Sequence, residues 1–201
     1  MLNEEKSMEY WKNHSAKLGE RAVGFGDKDM NQQDAIYKIV KEFIFRYVDF
    51  RLDTLDYGCG IGRHTPNFTG KYLGIDMTEN MIYMANKRNP GRHYIWNNSP
   101  YLNDENIDFT WIEQFFTATV LQHCDDDLVK KILESLHYQK RKGFTFALYE
   151  NSAGFKKPHV IGRNPNEYVK FMEEVGFHVK DILITTHLSK GEPHSLIKVR
   201  V

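Results

Sequence analysis

Asp56-Tyr57-Gly58-Cys59-Gly60-Ile61-Gly62 is the stretch that decides the fold. It ends a strand-like run at residues 52–57 and places three glycines at alternate positions. Glycine accepts positive φ and has no Cβ, so backbone amides at such a turn can approach a ligand closely. A tight strand-to-helix turn is the simpler alternative, although three glycines exceed what such a turn needs. The stretch predicts a ligand-binding turn after the first strand of an open sheet.

The spacing of these glycines separates two kinds of nucleotide ligand. A dinucleotide-binding turn, G-x-G-x-x-G, needs its third glycine at position 63, which is Arg63 in this chain. The glycines occur instead as D-x-G-x-G-x-G, with Asp56 two residues before the first of them. A carboxylate at that position suits a ligand that carries an ammonium group.

Asp76 lies twenty residues after Asp56, at the end of the next strand-like run. A carboxylate in this place can accept both hydroxyl groups of a ribose. Alternatively, it only caps the helix that follows. Met77, directly after it, is placed to pack on an adenine face.

Strands and helices alternate outward from this stretch. Strands are predicted at residues 52–57, 72–76, 93–96, 115–119, 144–149, 179–186 and 196–201, and helices at 8–18, 63–68, 79–88, 125–138 and 167–175, with a further apolar helical face around residues 36–47. This order predicts an α/β fold, a Rossmann-like doubly wound and mostly parallel seven-stranded sheet with an antiparallel last strand. Residues 1–50 form an N-terminal helical cap segment, and residues 51–201 form the nucleotide-type ligand-binding domain.

Composition bounds the class of protein. The 201 residues suit one domain, and 27 basic against 27 acidic residues give no net charge, so there is no global signal for nucleic acid or membrane. Two cysteines without metal-type spacing and a polar first segment favour a cytoplasmic protein. We expect no metal site, and the sequence does not indicate an oligomeric state.

Three motifs in this order resemble the class I S-adenosylmethionine-dependent methyltransferases: LDTLDYGCGIGRHT at 52–65, GIDMTENMIYMA at 74–85 and TVLQHCDD at 119–126. The resemblance implies S-adenosylmethionine as cofactor and S-adenosylhomocysteine as product. It implies that the methionine part is lined by Asp56, Tyr57, Gly58, Cys59, Gly60, Gly62, Arg63 and Thr117. Asp76 then holds the ribose, and Met77, Asn98 and Ser99 meet the adenine. Asn98 stands where the family commonly has an aspartate.

The acceptor side offers weaker candidates, each with a structural alternative. His123 is a candidate general base, because its ordinary pKa near 6.5 suits that role, but it could simply support the fold. Glu150 could position an acceptor or cap a loop. His159 and Arg163 lie in a charged loop that either meets an acceptor or is plain surface.

The N-terminal segment is a further candidate, because many small-molecule methyltransferases close such a segment over the cofactor. Trp11 and Arg21 are the residues expected there, with Arg21 placed to meet the methionine carboxylate. The alternative is a helix that only packs on the sheet.

The expected reaction is methyl transfer to an oxygen or nitrogen of a small molecule or saccharide. The chain has no N-P-P-[YF] segment after the fourth strand, which argues against methylation of adenine in nucleic acid. Two alternatives stay open: a methyltransferase for protein N-terminal amines, and a non-catalytic module that binds the cofactor or a partner.

Overall fold

The computed structural model describes residues 4–18, 30–102, 107–138, 144–152, 156–157, 159–189 and 192–201. Its helices are α1 (Glu4–Leu18), α2 (Met30–Phe45), α3 (Glu79–Arg88), α4 (Asp126–Tyr138) and α5 (Pro165–Glu174). Its strands are β1 (Thr54–Tyr57), β2 (Tyr72–Asp76), β3 (His93–Trp96), β4 (Gln114–Ala118), β5 (Thr145–Asn151), β6 (Lys156–Lys157), β7 (Val160–Ile161), β8 (Asp181–Ser189) and β9 (Glu192–Arg200). Short 3₁₀ turns lie at Thr65–Asn67 and Leu121–His123.

Seven of the strands form one sheet in the order β3-β2-β1-β4-β5-β9-β8. The first five run parallel, and β9 pairs antiparallel with both β5 and β8. β9 is therefore the one antiparallel strand of this sheet. The predicted fold class is confirmed, with the antiparallel strand between β5 and the edge strand β8.

The parallel register brings the carboxyl ends of β1, β2 and β4 to one edge of the sheet, which we call the carboxyl edge. Asp56 of β1 pairs with Phe116 of β4, and Asp76 of β2 pairs with Trp96 of β3. The order of strands reverses between β1 and β4, and a crevice beyond that reversal is where open α/β sheets bind ligands.

Alternating side chains fill a core on each face of the sheet. Phe115 and Phe146 belong to the core that carries α4 and α5, whereas Phe116 and Tyr149 belong to the core beneath α2 and α3. All four are almost fully buried, and burial of such a side chain contributes about 1.5–3 kcal/mol. These two cores hold the carboxyl edge rigid.

The predicted helix at residues 63–68 is wrong, because only the 3₁₀ turn Thr65–Asn67 forms there. Phe68 is extended and fully buried, and the amide of Thr69 donates to the carbonyl oxygen of Phe50 at 2.8 Å. A Cβ at Gly70 would stand 2.5 Å from the carbonyl oxygen of Arg51. The chain is pinned to the segment before β1, and a helix has no length in which to develop before β2.

Candidate active site

The glycine loop after β1 uses its amide groups inside the protein. Gly58, Gly60 and Gly62 have φ of 70°, 53° and 68°. The amides of Gly58 and Cys59 donate to the carbonyl oxygen of Ile75 at 2.8 and 3.0 Å. The expectation that the loop amides face a ligand is therefore wrong for Gly58 and Cys59, whose amides are directed to β2.

Asp76 ties the loop to the helix that follows β2. Its Oδ2 accepts from the amide of Gly60 at 3.0 Å, and its Oδ1 accepts from the amide of Thr78 at 2.8 Å. Burial raises the pKa of this carboxyl group, and the two amide hydrogen bonds partly oppose the shift. The amide that Asp76 binds is that of Thr78, the N-cap residue of α3, so Asp76 supports the chain before the helix and does not itself cap α3. The same two bonds fix its orientation at the carboxyl edge, as a ribose contact requires.

Asp56 is buried on the face of the sheet that carries α2 and α3. Its Oδ2 accepts a hydrogen bond of 2.7 Å from the hydroxyl of Tyr72. Burial raises the pKa of Asp56 to about 7, the Tyr72 hydrogen bond opposes that rise, and the charge of Asp76 adds to it. Burial also raises the pKa of the Cys59 thiol, which is therefore not a thiolate at neutral pH.

Tyr57, which was expected at the methionine part of the cofactor, supports the loop after β3 instead. The hydroxyl of Tyr57 donates to the carbonyl oxygen of Pro100 at 2.6 Å. The hydroxyl oxygen of Ser99 accepts from the amide of Tyr101 at 3.1 Å, and Asn98 is exposed beside it. Tyr57 therefore supports the expected adenine loop, whereas the resemblance placed it at the methionine part.

Sequence reasoning missed Trp96, at the carboxyl end of β3. Its indole nitrogen donates to the carbonyl oxygen of Met77 at 3.2 Å, and 46% of the residue is exposed. An exposed aromatic ring beside Met77 can pack on the same planar group as Met77. The signal was an aromatic residue at the end of β3, which pairs with Asp76 at the end of β2.

Three other predicted cofactor residues are placed as follows. The carbonyl oxygen of Arg63 accepts from the Tyr37 hydroxyl, and its guanidinium lies 6.0 Å from the Tyr37 ring centre. Thr117 is fully buried, and its Oγ1 has no hydrogen-bond partner within the described residues. Arg21 lies outside the described residues.

Glu150 supports the turn that leaves β4. Thr119 has a left-handed backbone with φ of 60°, which is strained for a β-branched residue. After it, the amides of Val120, Leu121 and Gln122 all donate to the Glu150 carboxylate at 3.1–3.2 Å. Glu150 is fully buried, and burial raises its pKa to about 7. Its contacts correspond to the loop-capping role and argue against contact with an acceptor.

His123 lies at the end of that turn in a cluster of rings. Its Nδ1 donates to the carbonyl oxygen of His159 at 2.7 Å, because a carbonyl can only accept. The ring of Trp11 stands edge-on to it at 4.9 Å, and the His159 ring stacks on it at 5.6 Å. Burial lowers the pKa of His123 to about 4, so the ring is neutral at pH 7, and its Nε2 accepts from the side-chain amide of Gln122 at 3.4 Å.

Arg163 is buried, with 2% of its side chain exposed. It donates to the carbonyl oxygens of Leu121 and Cys124 at 2.9 and 2.6 Å, and to Asp126 Oδ1 at 2.7 Å. These bonds join the turn after β4 to the start of α4. The position of Arg163 argues against the predicted contact with an acceptor, and leaves His159 as the member of its loop that reaches the ring cluster.

The described residues carry neither a metal cluster nor a membrane-spanning helix. No group of three or more His, Cys, Asp or Glu side chains there is arranged to hold a metal ion. No helix in the described parts of the chain is long and apolar enough to span a bilayer.

Comparison with known proteins agrees with this geometry. Residues 55–147 match the family model described as a methyltransferase domain, and the chain carries the seven-stranded sheet on which the motifs after β1, β2 and β4 converge. Residues 55–147 therefore carry a methyltransferase domain, and the fold is that of S-adenosylmethionine-dependent methyltransferases, which supports S-adenosylmethionine as the cofactor. No protein of curated function matches the sequence.

Solved structures share the fold over most of the chain. The DhpI complex with S-adenosylhomocysteine is 16% identical, with a TM-score of 0.68 over 96% of this chain and 95% of that one. Magnesium protoporphyrin IX methyltransferase from Synechocystis PCC 6803 is 15% identical, with a TM-score of 0.67 over 96% and 98%. A SAM-dependent methyltransferase from Archaeoglobus fulgidus is 13% identical, with a TM-score of 0.66 over 82% and 94%.

Proposed function

We propose that this methyltransferase transfers its methyl group to an oxygen or nitrogen of a small molecule or saccharide. The observation that carries the proposal is the position of α1 at the carboxyl edge. Trp11 contacts His123 after β4, Tyr10 stacks on His159 at 5.3 Å, and the carbonyl oxygen of Ser15 accepts from Asn80 of α3 at 3.2 Å. A helix that covers these points favours a small acceptor over a folded macromolecule.

The donor set at the carboxyl edge suits the cofactor. Asp76 is fixed to accept the ribose hydroxyls, and Met77 with Trp96 offers apolar surface to the adenine. Beside the loop from Gly58 to Gly62, Asp56 offers a carboxylate to the ammonium. Asn98 and Ser99 border the adenine position.

The cofactor supplies a methyl group that its sulfonium has already activated, so the protein has to align the acceptor and exclude water. Trp11, His123 and His159 form an aromatic wall for that purpose. Both ring nitrogens of His123 are engaged within the protein, Nδ1 with His159 and Nε2 with Gln122, and a base whose pKa is about 4 does not deprotonate an alcohol at neutral pH. This favours an acceptor that needs no strong base, such as an amine or a carboxylate, and makes His123 a part of the wall.

Calorimetric titration with S-adenosylhomocysteine tests the cofactor assignment. We expect binding by the parent and at least tenfold weaker binding by Asp76→Ala, because the ribose loses a charged acceptor. Asp181→Ala is the matched control: this exposed carboxylate lies at the amino end of β8, at the opposite edge of the sheet. An Asp76→Ala variant that binds as the parent does would refute the ribose contact.

Release of S-adenosylhomocysteine tests the acceptor class. Small amines, carboxylic acids, phenols and sugars are compared with peptides that carry free or acetylated N-termini. Turnover with small molecules supports the proposal. Turnover confined to free N-terminal peptides would establish the protein amine alternative, and cofactor binding without turnover on any acceptor would favour the non-catalytic module.

A further inference from the structure

A continuous chain of hydrogen bonds runs behind the glycine loop and ends on Asp56. Asn89 Nδ2 donates to the Tyr94 hydroxyl at 3.1 Å, which donates to Thr65 Oγ1 at 2.7 Å. Thr65 Oγ1 donates to the Tyr72 hydroxyl at 2.9 Å, which donates to Asp56 Oδ2 at 2.7 Å. We call these five residues the hydroxyl relay. It crosses from the end of α3 through β3, the 3₁₀ turn and β2 to β1.

The direction of the relay is fixed by the groups at its two ends. The Asn89 amide nitrogen can only donate, and an ionised Asp56 can only accept. Each of the three hydroxyl groups between them therefore passes its proton toward Asp56. Aligned hydroxyl groups polarise one another in a buried setting, so the relay favours the ionised carboxylate.

The third glycine of the loop is shaped to the relay. A Cβ at Gly62 would stand 2.6 Å from the Tyr94 hydroxyl, 2.7 Å from Asn89 Nδ2 and 2.9 Å from Thr65 Oγ1. The carbonyl oxygen of Gly62 also accepts from Asn89 Nδ2 at 2.9 Å. The glycine loop and the hydroxyl relay therefore pack as one unit. A substitution in the relay can alter the loop even though the relay residue does not contact the cofactor.

The charge of Asp56 is finely balanced by the groups that face it. Burial and the Asp76 carboxylate raise the pKa of Asp56, whereas the Tyr72 hydrogen bond lowers it, and the result is about 7. The Cys59 thiol and the phenols of Tyr37 and Tyr94 also interact with Asp56, and Arg63 acts on Tyr37. Removal of the Tyr72 hydroxyl would leave a carboxyl group that is mostly protonated at neutral pH.

We propose that Tyr72, through the hydroxyl relay, is a positioning residue that sets the orientation and charge of Asp56 for the ammonium group of the cofactor. The inference rests on the proposed contact between Asp56 and that ammonium. Tyr72 itself lies behind the loop and does not touch the cofactor.

Titration of Tyr72→Phe with two ligands between pH 6 and 8 tests the proposal. S-adenosylhomocysteine carries the ammonium group, and 5′-methylthioadenosine lacks it. For the parent, we expect affinity for S-adenosylhomocysteine to rise with pH as Asp56 ionises near 7. In Tyr72→Phe we expect a midpoint about one pH unit higher, from the loss of one hydrogen bond to a charged group, and therefore about fivefold weaker binding at pH 7. Affinity for 5′-methylthioadenosine should stay within about twofold.

Two further variants and a control make the result specific. Tyr94→Phe removes the hydroxyl group that donates to Thr65 and so interrupts the relay farther from Asp56. It should raise the midpoint for S-adenosylhomocysteine binding by less than Tyr72→Phe does. Tyr83→Phe, at a tyrosine of α3 that is 68% exposed, should behave as the parent does. Thermal unfolding of each variant confirms that the ligands meet a folded protein.

The proposal would be overturned if Tyr72→Phe lowered the affinity for both ligands equally, or if its midpoint with S-adenosylhomocysteine stayed at that of the parent. It would also be overturned if Asp56→Asn bound S-adenosylhomocysteine as tightly as the parent does. Asp76→Ala separates this failure from failure of the cofactor site: weaker binding of 5′-methylthioadenosine by that variant keeps the ribose assignment whatever Tyr72→Phe does.

Discussion

Gly62→Ala should destabilise the protein far more than the same change at Gly91. Both glycines have positive φ, 68° and 85°, so alanine at either strains the backbone by about 1 kcal/mol. A Cβ at Gly91 has no heavy atom within 4 Å, whereas at Gly62 it would collide with Tyr94, Asn89 and Thr65. Gly91 is therefore a control that carries the backbone strain without the collision.

The magnitude follows from the bonds that the collision disrupts. Asn89 donates to Tyr94 and to the carbonyl oxygen of Gly62, and Tyr94 donates to Thr65. Each buried hydrogen bond contributes about 1 kcal/mol net, so we expect Gly62→Ala to lower the free energy of unfolding by roughly 4 kcal/mol and Gly91→Ala by roughly 1 kcal/mol.

Urea unfolding followed by far-ultraviolet circular dichroism measures both free energies. The comparison is sound where the dependence on urea concentration is unchanged between variants. A difference of less than about 1 kcal/mol between the two variants would refute the reasoning, because it would mean that the relay side chains move aside at no cost.

Two further predictions separate structural from catalytic roles on the acceptor side. Glu150→Ala leaves three amides of the turn without an acceptor and should lower the free energy of unfolding by roughly 3–5 kcal/mol. The control Glu134→Ala, on the exposed face of α4, should change it by about 0.5 kcal/mol or less. Equal urea midpoints for the two variants would contradict the capping role of Glu150. His123 resists protonation in the fold but not in the unfolded chain, so it contributes stability above pH 6.5 that is lost as pH falls toward 4. The stability advantage of the parent over His123→Gln should shrink by roughly 2 kcal/mol between pH 7.5 and pH 5, and an advantage that is independent of pH would contradict this account.

The sequence predicted element bounds best where local residue preferences are not overridden by tertiary contacts. The bounds predicted for β2, α3 and β3 agree with the structure, because an apolar run, a break at Asn89-Pro90-Gly91 and another apolar run leave little choice. Asn164 stands before the predicted helix at 167–175 with Glu167 three residues on, a typical capping-box pattern, and its side chain accepts from the amide of Asn166 in a capping box at the start of α5.

Tertiary contacts explain what the sequence did not indicate. Pro66 is acceptable in the first turn of a helix, so the sequence of residues 63–68 is compatible with a helix. The helix does not form because Phe68 is buried in extended conformation and the amide of Thr69 donates to Phe50. Arg163 was interpreted as a loop charge, because its partner Asp126 is 37 residues away in sequence. Asp56 and Asp76 could be chosen from their distance to the glycines, but the three hydroxyl groups behind them have no spacing rule that would associate them.

The neighbours of Gly58 and Gly62 change how the glycine motif should be interpreted in related chains. A Cβ at Gly58 would collide with Val120, and one at Gly62 would collide with the hydroxyl relay, so both glycines are required by the protein's own packing. A pseudoenzyme descended from such a chain would keep them for stability long after losing its ligand. In chains of this architecture the glycines alone are therefore a poor diagnostic of a working cofactor site.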